Sequence, residues 1–161
     1  MRALYIQQKL FSVGEKFTVK DEADKDVYKI EGSFMKVPKT FSIMDMHRNE
    51  LAQITKKMMS FLPTFYVDVV GQEPITIKKE FTFFKAKYSI DMKGIEVRGN
   101  WWDMNFEMLK HGEVIGSVQK EWVTFADHYV LSVYDGDIEP LLVALVVAID
   151  YVKSTQGAGA V

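Results

Sequence analysis

The residues best equipped for chemistry in this chain of 161 are three histidines, an acidic triplet and a set of lysines. His47 and His111 fall in turn compositions, "DMHRNE" and "KHGE", and His128 falls at the start of a strand pattern. Their spacing fits no metal motif, and the layout derived below puts His128 at the opposite end of the molecule from the other two. They read as solvated loop histidines. The chain has no cysteine, which excludes disulfides, zinc thiolate sites and thiol nucleophiles and fits a reducing interior. No GxSxG occurs to carry a serine nucleophile. The glycines of "GSFMK" and "GEVIGSV" belong to hairpins or strands, not to the strand-to-helix cradle that holds phosphate. The expectation is a protein that is not an enzyme, with no catalytic residue, no metal site and no cofactor.

The acidic triplet is Asp135, Asp137 and Glu139. Alternate carboxylates can bind calcium, but an EF-hand loop is longer and ends in a bidentate glutamate at its twelfth position. A helix start favours acids in any case. Capping is the preferred role, with Asp137 as N-cap and Glu139 at the positive end of the dipole; calcium is kept as the alternative. Among the lysines, Lys36 and Lys39 flank one bend and Lys85 and Lys87 another, with Lys16 on a neighbouring hairpin and apolar Val13, Val37, Phe61 and Phe84 between them. The preferred account is structural: the apolar members cap one end of the fold and the lysines solvate it, since lysine is a common protection for sheet edges and the net charge is −2.

The elements that must position these groups are strands. Alternating apolar and polar residues recur in "FTVKD", "VYKIEG", "FSIMD", "LAQITKK", "FYVDVV", "PITIKKE", "IEVRG", "FEMLK", "VIGSVQKE" and "YVLSV", the period of half-buried strands. A repeat of about 23 residues, the length of a two-stranded unit, sharpens this. Each copy has an apolar residue, another three later, an aromatic seven later and an aliphatic nine later. It fits Leu10, Val13, Phe17, Val19; Phe34, Val37, Phe41, Ile43; Met58, Phe61, Phe65, Val67; Phe81, Phe84, Tyr88, Ile90; and Trp122, Phe125, Tyr129, Leu131. A degraded copy, Gly99, Trp102, Phe106, Met108, starts on glycine. Six units predict twelve strands, with bends such as "KVPK" and "SFLPT" at one end and polar turns such as "EADKD" and "VGQE" at the other. The predicted fold is mainly β with one helix: a twelve-stranded antiparallel closed β-barrel, closure removing the exposed edges.

Such a barrel is too wide for its own side chains to fill, since roughly eight strands is where they suffice. The run "PLLVALVVAIDYV", residues 140–152, supplies the filling. From Ile138 to Val152 it makes roughly four turns, on the order of 22 Å of helix. Its uninterrupted apolar stretch, Leu141 to Ile149, is nine residues, against about 20 for a membrane span. A helix apolar all round but too short to span belongs in a core. The start "MRALYIQQKLFS" has no long apolar segment or small-residue cleavage site, so no secretory signal is read and a cytoplasmic location is expected. Residues 1–153 are expected to form one domain and residues 154–161 a flexible tail.

The segments "QKLFSVGEKFTVKDE", "KKEFTFFKAKYSID", "EVRGNWWDMNFEM" and "ALVVAID" resemble the LURP-one-related (LOR) family in its short bacterial form, over nearly the whole chain. That family is similar to the Tubby C-terminal domain and the phospholipid scramblases. The resemblance implies a twelve-stranded barrel threaded by a hydrophobic C-terminal helix. Because Tubby domains recognise phosphoinositide headgroups with basic side chains, it also makes Lys36, Lys39, Lys85 and Lys87 a candidate rim for anionic lipid headgroups. Scramblases carry an acidic segment before the corresponding helix, as here. "MMSFLPTFYV" departs from the family in lacking a basic residue after its proline, and "EWVTFADHYV" in lacking an aromatic-glycine bend, which weakens the expectation of ligand contact at both. The function expected is a non-enzymatic LOR-type scaffold or binding domain. The alternatives are a peripheral phospholipid- or phosphoinositide-binding or scramblase-like protein, and a carrier of a small apolar ligand. Neither nucleic acid nor a transmembrane span is expected, and no protein partner is specified.

Overall fold

A computed structural model of the chain describes residues 1–7, 16–33, 35, 37–81, 86–90, 94–101, 103–121 and 128–157. Twelve strands precede a single long helix: β1 Arg2–Gln7, β2 Lys16–Asp21, β3 Asp26–Gly32, β4 Thr40–Met44, β5 Glu50–Lys56, β6 Thr64–Val69, β7 Ile75–Phe81, β8 Ala86–Ile90, β9 Ile95–Asn100, β10 Asn105–Lys110, β11 Glu113–Glu121 and β12 His128–Val133. A 3-10 turn, Gly136–Ile138, leads into α1, Glu139–Gly157.

Every strand pair is antiparallel and neighbours follow chain order. In addition β1 pairs with β12 from Arg2↔Val133 to Gln7↔His128, and with β2 from Leu4↔Asp21 to Ile6↔Val19. β8 and β9 share the one described pair Ser89↔Glu96. The alternation predicted for the strands is present: β6 buries Phe65, Val67 and Val69 and exposes Tyr66 and Asp68. Where they are described, the repeat's aromatic and aliphatic positions lie on the inward face of the even strands: Val19, Phe41, Ile43, Phe65, Val67, Phe106, Met108, Tyr129 and Leu131 are buried.

The degraded repeat copy has a steric cause. Gly99 sits opposite Phe106 in the β9/β10 ladder at φ +124°, and a Cβ there would lie 2.8 Å from the Asn105 carbonyl oxygen and 2.9 Å from the Phe106 Cα. An apolar side chain cannot occupy that position without moving backbone. Gly116 of β11 plays a related part against the helix, where a Cβ would meet the Leu142 side chain at 2.8 Å.

The helix is buried on all sides. Ile138, every residue from Leu141 to Ile149, and Val152 pack into one cluster with the inward residues of the sheet, the arrangement expected of a helix with apolar residues on every face. No helix among the described residues is long and apolar enough to cross a membrane. Its ends differ from expectation. Asp135, not Asp137, is the capping residue, its carboxylate accepting from the Asp137 backbone N–H at 3.1 Å. The helix also continues to Gly157, past residue 153 where the sequence placed the end of order; the rest of the expected tail, 158–161, lies outside the described residues.

Candidate functional site

The helix enters at the polar-turn end of the sheet and runs toward the bend end, so the two poles carry different side chains. At the polar-turn pole Glu139 is buried and accepts on one carboxylate oxygen from Arg2 Nη1 of β1 at 2.7 Å and from the Tyr28 hydroxyl of β3. Burial and the adjacent Glu139 carboxylate raise the Tyr28 pKa well above the usual phenol range. This cluster ties three elements together, and it directs Glu139 away from Asp135, whose carboxylate serves the 3-10 turn. The acidic triplet therefore splits between tasks. Among the described residues no group of three histidine, cysteine or acidic side chains could hold a metal ion.

The histidines are also separated. His47 is exposed in a turn where its backbone N–H donates to Asp45 Oδ1 at 2.8 Å, and His111 is exposed in another. His128 departs from the solvated-loop expectation. It lies in β12, its ring tilted against Tyr5 at a centroid distance of 5.6 Å and its Nε2 3.3 Å from a Glu121 carboxylate oxygen. As the first residue of β12 it packs on the neighbouring strand, so it is a partly covered surface contact.

The bend pole carries the distinctive surface. β4 and β5 are paired, which brings the β3–β4 bend (33–39) beside the β5–β6 bend (57–63). The backbone joins them: the Lys56 N–H donates to the Lys39 carbonyl at 2.8 Å. Each bend is closed by its own bonds, Ser33 N–H to the Thr40 carbonyl and Lys57 N–H to the Thr64 carbonyl, both 2.8 Å. Between them opens a recess of about 840 Å³, with Tyr151 of α1 among its lining residues. The Tyr151 ring makes edge contacts with Phe41 and Phe65 at 5.3 and 6.1 Å, and Lys56 Nζ sits 5.3 Å from its centroid.

Around the recess stand side chains that a folded protein ordinarily hides. Phe61 and Met59 are each 100% exposed, Met35 87% and Val37 77%, with Met58 more than half exposed. Pro38 and Pro63 stiffen the same bends. Among the described residues Lys39, Lys56 and Lys57 line the recess, and no carboxylate does. In a chain of net charge −2, this is a local reversal of sign laid over an apolar surface.

The sequence-derived rim compares with this as follows. Lys39 is present but engaged: its ammonium donates to the Ser33 carbonyl and lies 5.4 Å from the Phe41 ring centroid, and burial lowers its pKa. Lys36 and Lys85 lie outside the described residues, and only the backbone of Lys87 is described, opposite Glu80 in the β7/β8 ladder. Val37 and Phe61, expected to cap the end of the fold, point into solvent instead, because Tyr151, Phe41 and Phe65 already fill the space beneath. Lys56, Lys57, Met35 and Met59 were missed. For Lys56, Lys57 and Met59 the signal lies in "KKMMSF", two lysines followed by two methionines, a serine and a phenylalanine; Met35 lies in "GSFMK" on the neighbouring bend.

Residues 2–150 match the model of the LURP-one-related (LOR) family. The chain belongs to that family. The LOR chain is also 29% identical over 153 residues to an uncharacterised protein, YxjI, of Bacillus subtilis (strain 168), a match covering 94% of each chain. A crystal structure of a protein from Arabidopsis thaliana superposes with a TM-score of 0.63 over 93% of this chain and 90% of that one, at 12% identity. That likeness shows a shared LOR-type fold and nothing about ligands.

Proposed function

We propose that this LOR protein is a non-enzymatic binding domain whose bend-pole rim docks on a bilayer surface carrying anionic lipid headgroups. One observation carries the proposal: among the described residues, three lysines and no carboxylate line a recess whose margins are exposed phenylalanine, valine and methionine side chains on two adjoining bends. Apolar tips of this kind gain by entering the boundary between headgroups and acyl chains, and lysines behind them meet the negative potential of the leaflet. Each lysine near such a surface contributes about 1 kcal/mol, within about a Debye length. The proposal takes the twelve strands as a closed barrel, supported by the pairing of β1 with both β12 and β2. The barrel supplies a rigid frame, and the helix filling it leaves no interior for a small apolar ligand, which argues against a carrier.

The test is pelleting with vesicles. Wild-type protein should pellet with vesicles containing phosphatidylserine or phosphoinositide and not with purely zwitterionic ones, and added salt should weaken the binding. Phe61→Ser with Met59→Ser should reduce binding by roughly tenfold or more through lost apolar burial, and Lys56→Gln with Lys57→Gln should reduce it and its salt dependence together. Failure of the wild type to pellet with anionic vesicles at low ionic strength would sink the proposal.

A further inference from the structure

The two most exposed methionines of the rim occupy backbone positions that methionine does not favour. Met35 has φ +51° and Met59 φ +55°, in the left-handed region where glycine, or the short polar asparagine or aspartate, is the usual occupant of a turn. Met104 adopts the same conformation at φ +54°, but it is fully buried and contributes to the core. Met35 and Met59 have no such compensation, since both side chains stand in solvent. Met58 is half exposed beside Met59 on the β5–β6 bend. Three thioethers thus gather on adjoining bends around one recess.

We propose that Met35, Met58 and Met59 form an oxidation site through which a hydroperoxide switches the rim from apolar to polar. It rests on the rim being the docking surface. The thioether sulfur attacks the peroxide's outer oxygen, an S–O bond forms as the O–O bond breaks, and the proton on the transferred oxygen passes to the departing one, which leaves as water from hydrogen peroxide or as an alcohol from an organic hydroperoxide. Sulfur loses two electrons and the peroxide is reduced. The product is a polar, chiral sulfoxide in place of a flexible apolar chain, so three of the rim's apolar margins are lost with no change in the fold beneath. Met104 and Met108 are shielded in the core.

The experiment is mild hydrogen peroxide treatment of the full chain, with peptide mass spectrometry, retention on a phenyl column and pelleting with phosphatidylserine vesicles read in parallel. Met35, Met58 and Met59 should oxidise well before Met104 and Met108, column retention should fall, and vesicle binding should drop roughly tenfold or more. A triple Met35→Leu, Met58→Leu, Met59→Leu variant should keep retention and binding under the same treatment, although Met1 and Met46 remain oxidisable. Equal oxidation rates for rim and core methionines, or an equal peroxide response in the triple variant, would overturn the site. Should wild type never pellet, the lipid-docking proposal fails by itself, while retention on the phenyl column still decides whether oxidation switches the rim.

Discussion

Glu139 is the residue on which the polar-turn pole depends. Its carboxylate is buried and accepts from both Arg2 and Tyr28 on a single oxygen. Removing it strands the Tyr28 hydroxyl and leaves the Arg2 charge without its partner, and breaking a buried charge pair from one side costs about 3–5 kcal/mol. Glu139→Ala should therefore lower the stability measured by urea titration by an amount near the bottom of that range, since the Arg2 side chain is 45% exposed and water can solvate it. Tyr28→Phe removes a donor but no acceptor and should cost less, about 1 kcal/mol. An equal loss in the two variants would mean that the ion pair adds nothing. None of this was legible beforehand: acids before a helix read as caps, and only the three-dimensional meeting of residues 2, 28 and 139 reveals a tether.

At the scale of the element, α1 carries a second buried carboxylate, Asp150, into the core besides Glu139 at its start. Asp150 is 4% exposed and accepts from the Tyr129 hydroxyl at 2.7 Å. Burial pushes its carboxyl up to about 6, against the Tyr129 hydrogen bond and Lys153, which favour the charged form. In the unfolded chain an aspartate titrates near 4. Between about pH 4 and pH 6 the folded state holds a proton that the unfolded state has released. Stability from this group is therefore full below about pH 4, falls as pH rises to about 6, and is level above that, a loss of roughly 2–3 kcal/mol. Asp150→Asn, which retains an acceptor for Tyr129, should be more stable than wild type at pH 7 and should converge with it near pH 4, as read by denaturant titration at each pH. A constant difference across that range would place the titration elsewhere. The helix itself was plain in the sequence, because nine consecutive apolar residues are too few to span a bilayer and too many to leave in water. Its capping residue was not, because Asp135 and Asp137 are equally good caps by composition and only the backbone at φ −114°, ψ 105° distinguishes them.

For the whole molecule, sheet and helix share one core, since buried apolar residues of nearly every strand, among the described residues, join the same cluster as the helix. Neither has another apolar surface to bury, so urea should unfold both in a single transition. Far-ultraviolet circular dichroism, which follows the strands, and tryptophan fluorescence, to which Trp101 contributes from its place in the core, should give coincident midpoints; separated midpoints would mean that sheet and helix are independent units. The architecture at this scale was the most readable feature of the sequence, because period-two alternation and a 23-residue repeat are direct imprints of strand faces. The bend-pole surface was the least readable. Repeat logic assigns Met58 and Phe61 to interior-facing slots, and only the filling of that space by Tyr151, Phe41 and Phe65 turns them outward.

The pairing of β1 with β12 joins residues more than a hundred positions apart, Arg2 with Val133, and the helix they surround comes later still in the chain. A sheet formed first would enclose an unfilled apolar interior, and a helix formed first would have no wall to lie against. Folding must then wait for its last elements: β1 can pair with β2 early, but its other edge stays unmatched until β12 is available, and sheet and helix settle together. Such long-range pairing delays the reward for closing large loops and makes folding slow. During that delay the chain presents its strand edges and its most apolar segment at the same time. The interval before the last strand and the helix are in place, and not the finished protein, is where this molecule is most exposed to aggregation.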